Sequence, residues 1–297
     1  LTGTDSDDDR PTLLPVRGRS PLLYEGKTNT IYSETEGGKT WLALYAAEQL
    51  LTADPTARVL WLDYEDVPKT FAGRCRALNL DPELVARIDY VNPRHRITNP
   101  NTPGASSEQY GYLVELLDRG RYRLAVLDTM TGAISVEGLD PNVGTDIETA
   151  HRWLSTTIIE RTGAAVLVLD HVTKSSETRG RNPIGSERKL SVISGAAYTI
   201  EVRRPWSRST GEPIEGSALI KVTKDRPGYV RAGRSDLSTV AVMEVLATPD
   251  GHVDIRLVDE LDSVATPPFD LILRVLDLVR TLGRSTATAI ATELGGR

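Results

Sequence analysis

The stretch Ser33-Glu-Thr-Glu-Gly-Gly-Lys-Thr40 lies between a short apolar run, Asn29 to Tyr32, and an amphipathic stretch, Trp41 to Leu51. It matches the pattern G-x-x-x-x-G-K-[ST] at every position except the first. Glycines in this pattern let backbone N–H groups turn towards phosphate oxygens at the start of a helix, where the helix dipole adds to the attraction. Because a predicted strand leads in and a predicted helix leads out, we expect this loop to bind ATP or a close relative. The predicted binding residues are Ser33, Glu34, Thr35, Glu36, Gly37, Gly38, Lys39 and Thr40.

Two features of this loop depart from what phosphate binding favours. Ser33 stands where the pattern has glycine, and Glu34 and Glu36 place two acids inside the loop. A carboxylate near phosphates opposes binding unless it points away or meets a cation. We therefore expect nucleotide binding, whereas the effect of Ser33 and Glu36 on turnover stays open.

A second apolar run ends in a carboxylate, which a magnesium-dependent phosphate loop requires. In Leu124-Ala-Val-Leu-Asp128 the acid follows four apolar residues, the pattern of a Walker B strand. We predict that Lys39 meets the β and γ phosphates of ATP and that Thr40 and Asp128 hold Mg²⁺. Many buried strands end in Asp, so this assignment rests on the combination of Asp128 with the loop.

Hydrolysis also needs a group that orients or deprotonates water, and Asp63-Tyr64-Glu65-Asp66 follows another apolar run. In open α/β sheets the carboxyl ends of the strands face the ligand. We predict Glu65 as the catalytic base. Asp66 is the competing candidate, and a solvated acidic loop is the alternative without a catalytic role.

Short apolar runs alternate with amphipathic stretches over nearly two hundred residues, which is typical of an α/β protein with a mainly parallel sheet. The predicted strands are 29–32, 59–62, 88–91, 124–127 and 165–169, and the predicted helices are 40–51, 69–78, 107–117 and 145–161. Four further strands, 197–202, 218–222, 240–246 and 253–257, follow without helices between them, with turn-like residues at 209–211 and 249–251. We expect these later strands to be antiparallel and to extend the sheet at one edge.

The two ends of the chain differ from this central part. The acidic run Asp5 to Asp9 favours a disordered tail over residues 1–19, ahead of a main domain at 20–262. Residues 267–297 show a helical pattern that predicts a small C-terminal segment, the first half of a helix-turn-helix or winged-helix module. The alternative is a helical hairpin that packs on the main domain or on a partner.

The composition limits the class of protein. At 297 residues, 39% apolar and 26% charged, the chain can bury one large core. No apolar run approaches the roughly 20 residues of a membrane span, so we expect a cytoplasmic protein without membrane contact. Cys75 is the single cysteine, which excludes an internal disulfide and a cysteine-based zinc site.

The net charge of -6 argues against a protein whose whole surface attracts nucleic acid. Residues 203–234 are locally basic, which indicates either a binding face or a solvated one.

Residues 20–235 resemble the RecA-like ATPases and, among them, the hexameric replicative helicases of the RepA and DnaB kinds. The resemblance implies a RecA-like P-loop ATPase core whose mainly parallel central sheet is extended by antiparallel strands. Besides the loop and Asp128, the segments that carry it are Tyr64-Glu65-Asp66 with the following Arg74-Cys-Arg-Ala-Leu, Leu167-Val-Leu-Asp-His171-Val-Thr-Lys174, Gly185-Ser186, and Ala218-Leu-Ile-Lys-Val-Thr-Lys224-Asp-Arg226-Pro-Gly228.

This resemblance also implies roles and partners. His171 would sense the γ phosphate, and Arg226, with Lys224 beside it, would be an arginine finger that reaches the γ phosphate of the neighbouring subunit. The implied assembly is a homo-oligomeric ring, a hexamer in those helicases, that acts on single-stranded DNA. Loops 131–144 and 173–190 would change position with nucleotide state. The cations expected to grip single-strand phosphates are Lys174, Arg179, Arg181, Arg188 and Lys189.

Three functions are compatible with these patterns. The first is an ATP-driven oligomeric DNA motor, a replicative helicase of plasmid, phage or mobile-element type. The second is a nucleotide-switched regulatory or defence ATPase that assembles with partners without unwinding DNA. The third, a recombinase-like filament, is disfavoured because no N-terminal polymerisation motif is visible.

Overall fold

A single β-sheet organises the part of the chain that this computed structural model describes, residues 9–97, 107–171, 186–206, 212–232 and 238–259. Its strands are β1 Thr28–Ser33, β2 Arg58–Asp63, β3 Ile88–Val91, β4 Tyr122–Asp128, β5 Ala165–His171, β6 Ala196–Arg204, β7 Ile214–Asp225, β8 Thr239–Ala247 and β9 Val253–Val258. They lie in the order β3-β2-β4-β5-β1-β6-β7-β8-β9.

The helices cover both faces of this sheet. They are α1 Lys39–Ala53, α2 Pro68–Ala77, α3 Pro82–Val85, α4 Ser107–Arg119, α5 Met130–Val136, α6 Gly144–His151, α7 Thr157–Thr162 and α8 Ser186–Ser191. A π-helical turn, Arg152–Thr156, joins α6 to α7, so the predicted helix at 145–161 is helical along its length but not α-helical throughout.

The strand directions confirm the predicted α/β fold class. Strands β2, β3, β4, β5 and β1 pair in parallel. The pairs β6–β7, β7–β8 and β8–β9 are antiparallel, as expected. Strand β6 departs from the expectation on one side, because it runs parallel to β1. It therefore joins the parallel part of the sheet to the antiparallel extension.

Alternate residues of each central strand pack into different cores. In β4, Leu124 and Val126 belong to the core that includes α1 and α2, whereas Ala125 and Leu127 belong to the core beneath α4 to α7. Side chains of a strand point alternately to the two faces of its sheet, so strands with both faces buried must be apolar nearly throughout. This is why the central strands appear in the sequence as short continuous apolar runs.

The N-terminal boundary of the main domain was predicted wrongly. Residues 1–8, with most of the acidic run, lie outside the described residues, but Leu13, Leu14 and Val16 are at most 5% exposed. Backbone hydrogen bonds join Leu13 to Leu23 and Arg17 to β9. Residues 9–19 are therefore part of the folded core, because burying three aliphatic side chains favours order in this segment.

Several other predictions fall outside the described residues. They are the C-terminal segment 267–297, the turn at 209–211, Gly185, and the cations Lys174, Arg179 and Arg181. The turn at 249–251 is present, with the Gly251 N–H donating to the Thr248 carbonyl. Within the described ranges, no helix combines the length and apolar character needed to cross a membrane.

A buried histidine lies at the end of α6. His151 is 5% exposed, and its Nδ1 lies 3.4 Å from the Ser155 hydroxyl. Burial lowers the pKa of His151 to about 4, with Asp170 opposing and Lys189 reinforcing the shift. The neutral imidazole is thus the form compatible with the folded state.

We expect His151 to make stability pH-dependent. Since its pKa falls from 6.5 to about 4 on folding, its contribution is complete above pH 6.5 and is lost as pH falls towards 4. Such a shift corresponds to a loss of about 3 kcal/mol of unfolding free energy. Between pH 7.5 and pH 5, urea unfolding should show about 2 kcal/mol of this loss in the wild type and a smaller loss in His151→Leu. The exposed His95 supplies the control, His95→Leu. An equal pH dependence in His151→Leu and wild type would contradict the assignment.

Candidate nucleotide-binding site

The parallel strands bring the predicted site residues to one edge of the sheet. Ser33 at the end of β1 is in register with His171 at the end of β5, and Asp63 at the end of β2 is in register with Asp128 at the end of β4. Residues that are more than one hundred positions apart in the chain therefore meet at the carboxyl ends of four strands.

Lys39 lies inside the phosphate loop. The residue is 6% exposed, and Nζ lies 3.3 Å from the Ser33 carbonyl, 3.1 Å from Ser33 Oγ and 3.2 Å from the Glu34 carbonyl. Burial lowers the pKa of Lys39, while Glu65, Asp128 and Asp170 oppose this shift. The ammonium group is thus held by weak neutral acceptors at the point where phosphate oxygens would be stronger partners.

Two glycines of the loop are required by close contacts. A Cβ at Gly37 would lie 2.4 Å from Ser33 Oγ. Gly38 has a φ of 92° and forms the N-cap of α1, and a Cβ there would lie 2.8 Å from the Trp206 ring. Glu36, which the sequence places among the phosphate contacts, is exposed and has a φ of 62°. The loop thus leaves no room for side chains at Gly37 and Gly38, while the Glu36 side chain is in contact with solvent.

Thr40 and Asp128 are adjacent, as a shared magnesium ion requires. The Thr40 hydroxyl donates to Asp128 Oδ2 at 3.1 Å. Burial, with Asp63 and Glu65 nearby, raises the pKa of Asp128 to about 7. Within the described residues, no group of three or more His, Cys, Asp or Glu side chains is arranged to hold a metal ion by itself. The pair of Thr40 and Asp128 fits Mg²⁺, which commonly binds one or two protein oxygens together with substrate phosphates.

His171 connects the phosphate-loop lysine to the predicted catalytic base. His171 Nε2 lies 3.4 Å from Glu65 Oε2, and His171 Nδ1 lies 3.4 Å from Lys39 Nζ. Because Lys39 can only donate, Nδ1 is the acceptor and Nε2 carries the hydrogen that faces Glu65. This hydrogen bond with His171 lowers the pKa of Glu65, which favours the ionised carboxylate.

The competing acid, Asp66, has a different environment. Its carboxylate forms an ion pair of 3.0 Å with Arg74 of α2. Asp63, to which the sequence analysis gave no role, accepts hydrogen bonds from the backbone N–H groups of Glu65 and Asp66 and from the Tyr90 hydroxyl. Glu65 is thus the acid that lies beside His171, whereas Asp66 is paired with Arg74, and Asp63 fixes the turn that carries both. The role of Glu65 as catalytic base stays a prediction.

A cleft of about 680 Å³ surrounds these groups. The phosphate loop, Glu65, Asp128 and His171 line its centre, and α2 lines one side through Thr70, Gly73, Arg74 and Ala77. The other side consists of Trp206 and the β8–β9 turn, which sequence reasoning missed because neither carries a phosphate-binding motif. The volume falls within the range usual for small-molecule sites.

Lys224 and Arg226 are not part of this cleft. Arg226 is exposed just beyond the end of β7, whereas the half-buried Lys224 donates from Nζ to the Leu190 carbonyl at 2.5 Å. Neither residue lines the cleft of its own chain. The role of Arg226 at a nucleotide site therefore stays a prediction, and it would have to be played from a second chain.

One of the cations predicted to bind nucleic acid has an internal partner instead. The Lys189 side chain is 1% exposed and its Nζ lies 2.5 Å from Asp170 Oδ2. This burial argues against a contact between Lys189 and DNA phosphates and replaces that prediction with a structural role. Arg188 lies in α8, and the structure does not describe its side chain.

The predicted loop at 131–144 was also partly wrong. Residues 130–136 form α5, which begins with the Thr129 hydroxyl accepting from the Gly132 N–H. The hydrogen-bonded cap and the buried Met130, Ala133 and Ile134 explain why this short segment is helical. The possible change of this region with nucleotide state stays a prediction.

We expect the Ser33 hydroxyl to compete with nucleotide for Lys39. Ser33→Ala removes one of the four groups near Nζ and keeps the backbone restraint, so Lys39 should be freer to meet phosphate. One hydrogen bond contributes about 1 kcal/mol, so ATP should bind up to about five-fold tighter. Titration with a fluorescent ATP analogue measures this change.

The matched control for this titration is Ser135→Ala, which removes a serine hydroxyl on α5 outside the cleft. It should leave affinity unchanged. Weaker binding in Ser33→Ala would show instead that the hydroxyl contacts the nucleotide directly.

Comparison with known proteins agrees with this geometry. A family model described as an AAA domain matches residues 3–177, more than half of the chain. The structure is similar to that of a KaiC-like protein from the hyperthermophilic archaeon Pyrococcus horikoshii OT3, with a TM-score of 0.54 and 12% sequence identity over 84% of this chain and 99% of that chain. At this identity the likeness concerns the fold alone, and no curated protein matches the chain by sequence. The chain therefore belongs to the AAA domain family and has the fold of the RecA-like P-loop ATPases.

Proposed function

We propose that this protein is an ATP-hydrolysing oligomeric motor that acts on DNA, a replicative helicase of plasmid, phage or mobile-element type. The observation that carries the oligomeric part is the position of Arg226. It is exposed and lies outside the cleft of its own chain. The arginine among the residues that line this cleft is Arg74, which is already paired with Asp66.

This leaves the γ phosphate short of positive charge within one chain. Phosphoryl transfer relies on positioning and on neutralising charge at the transferring group, and an added arginine commonly accelerates it strongly. Lys39 is the cation in the phosphate loop, and it is surrounded by Glu65 and Asp128. A neighbouring copy that presents Arg226 would complete the site and would link hydrolysis to assembly.

The residues of the chain define the proposed reaction. Glu65 orients a water and accepts its proton while the water oxygen bonds to the γ phosphorus and the bond to the β–γ bridging oxygen breaks. Lys39 exchanges the carbonyls of Ser33 and Glu34 for phosphate oxygens. Thr40 and Asp128 would hold Mg²⁺, which when bound supplies further charge neutralisation.

His171 is placed to couple phosphate binding at Lys39 to the position of Glu65. It lies between Lys39 and Glu65, 3.4 Å from each. When Lys39 moves to a phosphate, the Nδ1 partner of His171 changes, and the hydrogen bond that His171 makes to Glu65 can change with it. This supports the role of His171 as a γ-phosphate sensor.

A nucleotide-switched regulator that assembles without unwinding DNA is the second candidate. The burial of Lys189 removes one of the five cations proposed to grip a DNA strand. The net charge of -6 and the exposed acids Glu34 and Glu36 also weaken the general attraction of DNA. Under this reading the protein hydrolyses ATP without a response to DNA.

ATP hydrolysis with and without single-stranded DNA separates the two candidates. The motor predicts stimulation by DNA, no nucleotide binding in Lys39→Ala, and binding without turnover in Glu65→Gln. Glu83→Gln, which changes an exposed acid outside the cleft, should behave as the wild type. Hydrolysis that is insensitive to DNA would contradict the motor and favour the regulator.

Mixed assemblies test the role of Arg226 in a neighbouring site. Arg226→Ala should lose about 1,000-fold in turnover, the scale of other arginine fingers. Mixing it with Lys39→Ala should restore activity, since one protein supplies an intact loop and the other an intact finger. Two inactive proteins that stay inactive after mixing, although their masses show mixed assembly, would contradict action between subunits.

A further inference from the structure

Lys224 has a partner that the proposed finger role does not explain. Its Nζ donates to the main-chain carbonyl of Leu190 in α8, at 2.5 Å. Burial lowers the pKa of Lys224, and the neighbouring Arg226 adds to this shift. The ammonium group is thus directed into its own chain and is partly desolvated, unlike the exposed side chain of Arg226.

Helix α8 is itself fixed to the nucleotide site. The buried Lys189 side chain bonds to Asp170 Oδ2 at 2.5 Å and to the Thr131 hydroxyl at 3.2 Å. Thr131 in turn donates to Asp170 Oδ1 at 2.7 Å. A buried pair whose charges are this fully bonded resists separation, because removing either partner leaves an uncompensated charge.

Asp170 immediately precedes His171. Its Oδ1 also accepts the backbone N–H of His171 at 3.0 Å. The same carboxylate therefore orients the residue that contacts Glu65 and Lys39 and holds α8 in place. Lys189 therefore links this end of β5 to α8.

The turn that carries Arg226 is preorganised. Asp225 accepts the Tyr24 hydroxyl at 2.7 Å, the Gly228 N–H at 3.1 Å and the Arg231 N–H at 3.0 Å. The Arg226 backbone N–H donates to the Gly195 carbonyl at 3.1 Å. These hydrogen bonds hold the turn together, and the side chain of Lys224 joins it to α8.

We propose that Lys224 is a positioning residue that acts through Arg226. Its hydrogen bond to the Leu190 carbonyl joins the turn that carries Arg226 to α8, and Lys189 joins α8 to the end of β5. The nucleotide state of one site thereby sets the position in which Arg226 reaches the next subunit. This inference rests on the proposed role of Arg226 in a neighbouring site. In the alternative role, Lys224 itself would contact the phosphate bound by the neighbouring subunit.

A double-mutant cycle between Lys224 and Arg226 tests this proposal. Lys224→Met keeps the aliphatic stem and removes the donor. It should lower kcat by up to about 100-fold, the scale of a misplaced catalytic group, and leave the KM for ATP unchanged. In the Arg226→Ala background, Lys224→Met should cause no further loss, because a residue that acts through another has no effect once the other is gone.

Two further variants serve as controls for this cycle. Lys221→Met changes a lysine three residues earlier on β7 that pairs with Glu201, and it should leave kcat unchanged in both backgrounds. Lys224→Arg can still donate to the Leu190 carbonyl and should recover part of the activity. Thermal denaturation confirms that each variant is folded. If Lys224→Met is unfolded, Lys224→Gln, whose shorter amide cannot reach as far, should show the same loss of kcat.

The outcomes are distinguishable. Losses that multiply in the double variant, together with a raised KM for ATP, would show that Lys224 contacts phosphate directly and would overturn the inference. Wild-type turnover in Lys224→Met would overturn it as well. Wild-type turnover in Arg226→Ala would instead contradict the proposed function on which the inference rests.

Discussion

The parallel register of β1, β5, β4 and β2 is the constraint on which the rest of the site depends. It places Ser33, His171, Asp128 and Asp63 at the carboxyl ends of neighbouring strands, although the chain separates them widely. Both faces of these strands are buried, so a one-residue shift in register would move every side chain into the opposite core, which is packed for other side chains. The packing of the core therefore determines the geometry of the phosphate site. The loops at this edge of the sheet carry the side chains that bind and react.

The charges gathered at this edge are not balanced by the chain alone. Asp63, Glu65 and Asp128 meet there, and their proximity together with burial raises the pKa of Asp128 to about 7. Lys39 lies among them but bonds to neutral oxygens of its own loop. A magnesium nucleotide would relieve both conditions, because Thr40 and Asp128 would hold the metal and Lys39 would meet the phosphates. The arrangement thus favours binding even though Ser33 departs from the glycine of the motif.

The sequence predicted features that depend on local pattern and missed those that depend on pairs distant in the chain. Apolar runs bounded by turns gave five parallel strands, and the motif placed Lys39 and Thr40 at the start of α1. Lys189 was misread as a surface cation because its partner, Asp170, is near it only in the folded chain. Trp206, which lies just beyond the end of β6, was missed for the same reason, since it is near Gly38 only in the folded chain. The wrong N-terminal boundary was avoidable, because Leu13, Leu14 and Val16 are apolar and predict an ordered segment. The prediction of a disordered tail rested on the acidic residues alone.

In the proposed mechanism, a neighbouring copy completes the site that one chain leaves short of positive charge. Arg226 is exposed away from its own cleft, and hydrogen bonds through Asp225 and Lys224 hold its turn in place. The most direct test is the rate of ATP hydrolysis per subunit over a range of protein concentration, with the mass measured at each concentration. If a neighbouring copy completes the site, the rate per subunit should rise with assembly and reach a plateau when assembly is complete. A constant rate per subunit across conditions in which the mass is that of a single chain would contradict it.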